Sequence, residues 1–294
     1  MSTFTYPKFT AKQTTTANNG YKCPSCGNRL NPENAGKTYR CLNNHSFDRA
    51  KEGYLNLLLA QHKRSRNPGD SDEMIRSRQR FLNRGYYNDL ALHISKQLSI
   101  MAVNSRVLDI GCGEGFYLQA IYEARDDLQL VGIDISKTAV RLAAKRSFNA
   151  QLAVDNSFNL ALFDNSIDLA ISIFSPFSAT EASRVIKTNG YLMLVGPGKR
   201  HLSGLTAHIY DQPVAHEGNH KTIDNSDEFT LLNDMDILKT ITVKGTAIAD
   251  LLHMTPYYWH AKPAQQQYLR TLEQLTTDIH FNIRLYQNCS DSLP

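Results

Sequence analysis

Cys23-Pro-Ser-Cys26 is followed by Cys41-Leu-Asn-Asn-His45, which gives the spacing C-x2-C-x14-C-x3-H. Three thiolates and one imidazole on two short knuckles are the donor set that zinc takes in a closed tetrahedron, where the ion is structural and not a Lewis acid. Gly27, directly after Cys26, relieves the backbone where the first knuckle turns. The segment is otherwise so poor in aliphatic residues that burial alone cannot hold it, and a metal is the staple it needs. Cys23, Cys26, Cys41 and His45 are therefore read as ligands. Cys112, in a glycine loop, and Cys289, in a polar tail, are isolated and carry no catalytic expectation.

The second constellation is Val107-Leu108-Asp109-Ile110-Gly111-Cys112-Gly113-Glu114-Gly115. An apolar strand that runs into a glycine turn and then a helix is the corner at which a doubly wound sheet binds a nucleotide or nucleoside. The spacing is G-x-G-x-G and not the G-x-G-x-x-G of dinucleotide binders. An acid at the strand end, Asp109, suits a pyrophosphate badly and an amino group well, and S-adenosylmethionine carries such a group. The next strand ends in Val131-Gly132-Ile133-Asp134, whose carboxylate can accept both ribose hydroxyls. Asp134 alone does not choose between nicotinamide and adenosylmethionine enzymes. After the third strand, the side chains of Asp155 and Asn156 can bond an adenine edge.

These residues must be positioned by strands and helices in alternation. Arg106 to Ile110, Leu128 to Ile133, Asn149 to Val154, Ile167 to Ile173 and Gly190 to Val195 are five short apolar runs, separated by helix-length stretches such as Ser136 to Ser147. Alternation of this kind predicts an α/β parallel sheet. Ile237 to Val243 and His280 to Tyr286 alternate apolar with polar residues and predict two antiparallel strands at one edge. Upstream, Asp70 to Leu82 reads as a helix capped by Asp70 or Ser71, and Tyr87 to Leu98 as a second. Between the knuckles and these helices, the apolar Tyr54 to Leu59 gives way to His62-Lys63-Arg64-Ser65-Arg66 and the breaker Asn67-Pro68-Gly69, the pattern of a linker.

At 294 residues, 41% hydrophobic and 20% charged, the bulk of the chain is neither disordered nor fibrous. No run approaches the roughly 18 apolar residues of a membrane helix, and Met1 to Gly20 is polar and Thr-rich, without a signal peptide's apolar core. A cytoplasmic location, no membrane partner and a disordered leader over 1–20 are the expectations. The net charge of +4 hides an asymmetry: 17 Lys and Arg against 7 Asp and Glu through Arg106, a net of +10, leave 15 against 21 beyond it, a net of −6. Such segregation suggests a polyanion partner for the N-terminal third. Lys63, Arg64 and Arg66, with Arg76, Arg78, Arg80 and Arg84, would supply sequence-independent phosphate contacts. The bland alternative is a solvated helix face.

The glycine loop, Asp134, Asp155-Asn156 and Arg184 through Tyr191, read as helix, turn and strand with the turn at Lys187-Thr188-Asn189-Gly190, occur in that order. Together they resemble the class I methyltransferase fold, an α/β doubly wound sheet, here with a small N-terminal zinc-binding module. The division expected is a leader at 1–20, a zinc-binding module at 21–51, a basic linker with helices at 52–100 and an S-adenosylmethionine-dependent methyltransferase domain at 101–294.

From about Tyr21 to Gln287 the chain also resembles one family, the bacterial 23S ribosomal RNA guanine-N1 methyltransferases. The resemblance rests on the zinc spacing, Phe47-Asp48 through Ala50-Lys51-Glu52-Gly53-Tyr54, Gln61 to Arg66 with Pro68-Gly69-Asp70, and Leu108 to Gly115. It continues through Pro197-Gly198 with Arg200-His201-Leu202, and Met254-Thr255-Pro256 with Ala261-Lys262-Pro263. It implies as substrate a single guanine in a domain II hairpin of 23S ribosomal RNA, S-adenosylmethionine as donor, structural zinc and a homodimer. It further implies that Tyr87, the Gly113 to Gly115 loop and His201 contact the cofactor. With Asp109, Gly111, Glu114, Asp134, Asp155 and Asn156 these make up the expected cofactor site. No catalytic base is assigned, although His201 and Asp155 are considered. Phe174, Phe177, Tyr257, Tyr258 and Trp259 are candidates for stacking a splayed base, against the plainer reading of core aromatics. A class I enzyme acting on another RNA or a small molecule, and an RNA-binding module whose enzyme domain is inactive, are the competing readings.

Overall fold

The computed structural model describes residues 20–62, 68–212, 220–224 and 226–289. Residues 1–19 of the expected leader and the cations Lys63, Arg64 and Arg66 lie outside them. The knuckle segment forms a meander of three short strands, β1 (Asn31–Glu33), β2 (Thr38–Arg40) and β3 (Ser46–Asp48). The apolar stretch after it does not hang free as a linker. Leu55–Asn56 (β4) pairs in parallel with the last strand of the main sheet, and Leu55 and Leu57 are buried. Its run of leucines satisfies a sheet edge that would otherwise stand open.

Two helices follow, α1 (Asp72–Asn83) and α2 (Asn88–Gln97). Ser71 supplies the cap of α1, its hydroxyl accepting from the Met74 N–H at 3.2 Å. Asp70 instead pairs with Arg78 at 2.6 Å. The alternating region then gives β5 (Arg106–Ile110), α3 (Phe116–Ala124), β6 (Gln129–Asp134), α4 (Lys137–Ala143), β7 (Gln151–Val154), β8 (Ile167–Ile173), α5 (Ala179–Val185) and β9 (Ile186–Pro197). The chain closes with α6 (Ser203–Thr206), α7 (Lys221–Asp224), β10 (Phe229–Lys244), α8 (Thr246–His253), α9 (Tyr257–His260), α10 (Pro263–Thr271) and β11 (Gln274–Asn288).

The main sheet has the order β10-β11-β9-β8-β5-β6-β7-β4. Strands β9 through β4 run parallel, and β10 and β11 are antiparallel at one edge, as their alternation predicts. The order reverses beside β5, so that the loop after β5 opens at the switch point, where ligands of such sheets bind. β9 begins earlier than the sequence suggests because Lys187 to Gly190 does not leave the sheet. Asn189 takes φ 63°, the register against β8 shifts between Ile167 and Leu169, and the intended turn becomes a bulge. No helix among the described residues is long and apolar enough to cross a membrane.

The zinc-spaced meander is fused to this sheet. Tyr21 bridges Leu162, and the Lys22 N–H donates to the Ala161 carbonyl at 2.9 Å. Cys23 and Cys41 lie in the same apolar cluster as Leu55, Leu108 and Val131. On the other side, α1 docks on α8 through Arg80, which donates to Asp250 Oδ1 from Nε at 2.9 Å and from Nη2 at 2.7 Å. Asp250 is buried, so its loss leaves this contact without an acceptor. Asp250→Ala is expected to cost about 1.5–3 kcal/mol, the range of a hydrogen bond to a charged group. Thermal melting checks this, and an unchanged midpoint would show that α1 is held by its apolar face alone.

Candidate cofactor and metal sites

At the zinc-spaced residues, Cys26 Sγ and Cys41 Sγ are 3.6 Å apart, Cys23 Sγ and His45 Nδ1 3.6 Å, and Cys41 Sγ and His45 Nδ1 3.4 Å. All four ligand atoms lie within 4.8 Å of one another. A tetrahedron with zinc–sulfur bonds of about 2.3 Å has edges of about 3.8 Å, so the donor set fits a zinc ion bound through His45 Nδ1. The Asn28 backbone N–H, chiefly, holds the Cys26 thiol down at about 6. With four protein ligands the sphere is closed and the zinc is structural.

The C-terminal ends of the parallel strands line a cavity of about 600 Å³. Tyr87, Asp109, Gly111, Gly113, Glu114, Asp134, Asp155, Asn156 and His201 all lie in its wall. Gly111 is required by the turn: its φ is 77°, and a Cβ there would come within 1.9 Å of Ser175 Oγ. Gly115 lies outside the wall. It has φ 83° at the start of α3, and a Cβ there would be 2.9 Å from Ala143 Cβ. The last glycine of the loop thus serves helix packing and is not a cavity contact.

Asp109 is 1% exposed, and neither carboxylate oxygen has a hydrogen-bond partner. Burial, and then the charge of Asp134, push its carboxyl up to about 7. An unpartnered buried acid in a cavity wall is costly unless a ligand completes it, and a cationic ammonium does so where a pyrophosphate would repel it. S-adenosylmethionine therefore fits where a dinucleotide does not. Asp134 accepts from the Gly113 N–H at 3.0 Å and from the Ser136 N–H at 2.8 Å, which ties the glycine loop to the neighbouring strand tip. Asp155 accepts from the Asn156 N–H at 2.9 Å and the Ala161 N–H at 2.8 Å, and burial raises its carboxyl to about 7.

Glu114 departs from the expectation in its side chain. Its carboxylate is paired with Arg146, whose Nε also donates to the Glu114 carbonyl at 2.8 Å. The glutamate is a clamp for the loop, closed by an arginine that lies 32 positions away. Cys112 lines the cavity as well, but burial lifts its thiol well above the ordinary range. At the far end of the wall, His201 Nδ1 accepts from the His280 N–H at 3.3 Å, and Nε2 lies 3.4 Å from the Tyr87 hydroxyl. This pattern assigns the proton to Nε2.

Sequence reasoning did not assign to the cofactor site the residues that cross over the cavity from outside the sheet, although it named Arg78 for phosphate contact and Tyr257 for stacking. Met74, Ile75, Arg78 and Leu82 come from α1, Phe158 from the loop after Asn156, Thr255 and Pro256 from the turn after α8, and Tyr257 from the start of α9. Arg78 bridges two of these segments, donating to the Met254 carbonyl at 3.1 Å. The Arg-rich helix face is thus largely committed internally: Arg80 pairs with Glu73 and Asp250, and Arg84 reaches Asp250 and Thr246. Arg76 is exposed, with no ion pair among the described residues.

Along the sheet the wall reads Asp155 after β7, Asp134 on β6, Asp109 on β5, Phe174 after β8 and Pro197 on β9. The sequence reading expects adenine at Asp155 and Asn156, ribose at Asp134 and the amino-acid part at Asp109, an order that would leave the β8–β9 end of this row open. Asp134→Ala should lower affinity for S-adenosylmethionine by about 100-fold or more, since two hydrogen bonds to a charged group are lost. Titration calorimetry on a variant with native circular dichroism checks this, and unchanged affinity would sink the assignment.

The strand order, the glycine turn and the row of carboxylates define a class I, S-adenosylmethionine-dependent methyltransferase. The chain belongs to the methyltransferase-domain family, whose model matches residues 102–274, and its residues 21–66 match the zinc ribbon described as RlmA, N-terminal. A 23S rRNA (guanine(748)-N(1))-methyltransferase of Streptomyces fradiae is 28% identical over 247 residues, covering 82% of this chain and 86% of that protein. Two relatives provisionally named 23S rRNA (guanine-N(1)-)-methyltransferases are also 28% identical. The Micromonospora griseorubida protein aligns over 263 residues, 83% of this chain and 88% of its own. The Bacillus subtilis (strain 168) protein, YxjB, aligns over 272, 88% of this chain and 94% of its own.

Proposed function

We propose that the protein methylates N1 of a single guanine in a domain II hairpin of 23S ribosomal RNA, and so works in the cytoplasm. The observation that carries this reading is the fusion of the RlmA-type zinc ribbon to a methyltransferase sheet, in a chain that aligns over most of its length with three relatives named as 23S rRNA guanine-N1 methyltransferases. A small-molecule substrate would leave the ribbon and the cationic N-terminal third without a task. Lys37 and Lys51 on the ribbon, with Arg76, offer cations to phosphates, as do Lys63, Arg64 and Arg66 outside the described residues.

Bound S-adenosylmethionine supplies an electrophilic methyl on sulfur. Asp109 neutralises its ammonium group and Asp134 holds the ribose, which fixes the line along which the guanine N1 must approach. His201 has its Nδ1 occupied by a main-chain N–H, so it acts at this end as a hydrogen-bond donor through Nε2 and not as the base for the N1 proton. Transfer of labelled methyl to 23S RNA lacking its native modifications tests the proposal, with reverse transcription to map the site. N1 methylation blocks the Watson–Crick edge, so a new stop at one hairpin guanine is expected. No stop, with S-adenosylmethionine bound tightly, would overturn it in favour of another RNA or a small molecule.

A further inference from the structure

At the tip of β8 the chain leaves the sheet through Phe174, whose φ is 53°. An aromatic residue in the left-handed region is a backbone outlier, and it persists only where its surroundings over-determine it. Here they do. The Phe174 N–H donates to the Val195 carbonyl at 2.9 Å, and the Ser172 hydroxyl donates to the Ser175 carbonyl at 2.9 Å. Ser175 in turn fills the space above Gly111, so the loop is pinned against the glycine turn.

The consequence is a ring that the core does not take up. Phe174 is 41% exposed, lines the cavity, and rests against the rings of His201 at 5.5 Å and Phe281 at 5.9 Å. The other candidate aromatics are disposed differently. Phe177 packs into the apolar cluster under the ribbon, Tyr258 packs against the main core, and Tyr257 is buried. Trp259 is exposed but lines the adjoining depression, and Phe158 stands beside Asn156 at the adenine end. Phe174 alone among these combines exposure with a place at the β8–β9 end of the row.

We propose that Phe174 is the platform on which the accepting base stacks, and that its left-handed backbone holds the ring at the cavity end where the methyl is delivered. The inference rests on the reading of a nucleobase as substrate. A flat apolar face is what an unstacked purine needs to replace its lost neighbours. Because stacking tolerates any π face, the contact would position the base and leave its identity to groups on its edges.

The test compares Phe174→Leu, which keeps apolar bulk without a π face, with Phe174→Tyr, which keeps the face. Each is assayed for kcat and KM on unmodified 23S RNA and, by calorimetry, for S-adenosylhomocysteine affinity. Stacking predicts that F174L loses about 5- to 100-fold in kcat/KM for RNA, that F174Y stays within about twofold of wild type, and that neither changes cofactor affinity. A hairpin carrying 2-aminopurine at the accepting position adds a readout independent of turnover, with its emission on binding differing between wild type and F174L. Full activity of F174L, equal losses in both variants, or a parallel loss of cofactor affinity would overturn the proposal. A wild-type enzyme inactive on this RNA would overturn the substrate reading and the inference with it, whereas an active wild type with an unimpaired F174L removes the inference alone.

Discussion

Replacing Asp109 with asparagine is expected to abolish binding of S-adenosylmethionine while making the cofactor-free protein more stable above about pH 7. The two effects have one cause. In the folded chain the Asp109 carboxyl is held at about 7 by burial and by Asp134, with no hydrogen bond to either oxygen. An unfolded aspartate titrates near ~3.9, so the folded state keeps its proton over a range in which the unfolded state has released it. The stability this confers is complete below about pH 4, declines as pH rises, and is lost by about pH 7, where the folded carboxylate must ionise without a partner. The difference amounts to at most about 4 kcal/mol, and asparagine recovers only part of it because its amide is also buried without a partner. Melting curves at pH 5 and pH 8 should show wild type losing stability against the variant as pH rises. Calorimetry should show no cofactor binding by the variant. A variant that still binds, or that melts below wild type at the higher pH, would falsify the role given to this carboxylate.

Cys23→Ser is expected to release the zinc, loosen residues 21–50 and impair RNA methylation more than cofactor binding. Metal binding accounts for about 10 kcal/mol or more in isolated zinc modules, and this one has too few aliphatic residues to hold without it. The fusion adds a smaller, second effect. Tyr21 and Lys22 pair with Leu162 and Ala161, and the Ala161 N–H is one of the two that hold Asp155. Loosening the ribbon therefore loosens the adenine end of the cavity, and cofactor affinity should fall by about tenfold, the worth of one or two hydrogen bonds. Metal analysis, limited proteolysis and calorimetry read the three effects separately. Full zinc content with full activity would remove the site, and unchanged affinity in a zinc-free variant would remove the coupling.

What could be read without coordinates is local. The ligand spacing of the ribbon, the strand-to-glycine turn at Asp109 to Gly115 and the alternation of apolar runs are each set within a few residues, because turn geometry and side-chain periodicity act over that range. β5 and β8 accordingly fall where their runs predict, and Ser71 caps α1. The antiparallel pair at the sheet edge was legible as to type but not extent. β10 and β11 run to Phe229–Lys244 and Gln274–Asn288 because pairing with a neighbour carries a strand past the reach of its own alternation.

The sequence by itself determined a class I sheet, a zinc module and the three strand-end carboxylates, Asp109, Asp134 and Asp155, that line one cavity. Only the tertiary structure decided which charges are free and which are committed. Arg80 meets Asp250 across 170 positions and Tyr87 meets His201 across 114, pairings that no local pattern contains. It gave Glu114 in the cavity wall an ion pair with Arg146, drew the supposed linker at Leu55 into the sheet, and left Phe174 exposed at the β8–β9 end of the cavity. For the charged and aromatic groups the deciding term is desolvation: each is useful or costly according to what covers it, and that is set by segments far apart in the chain.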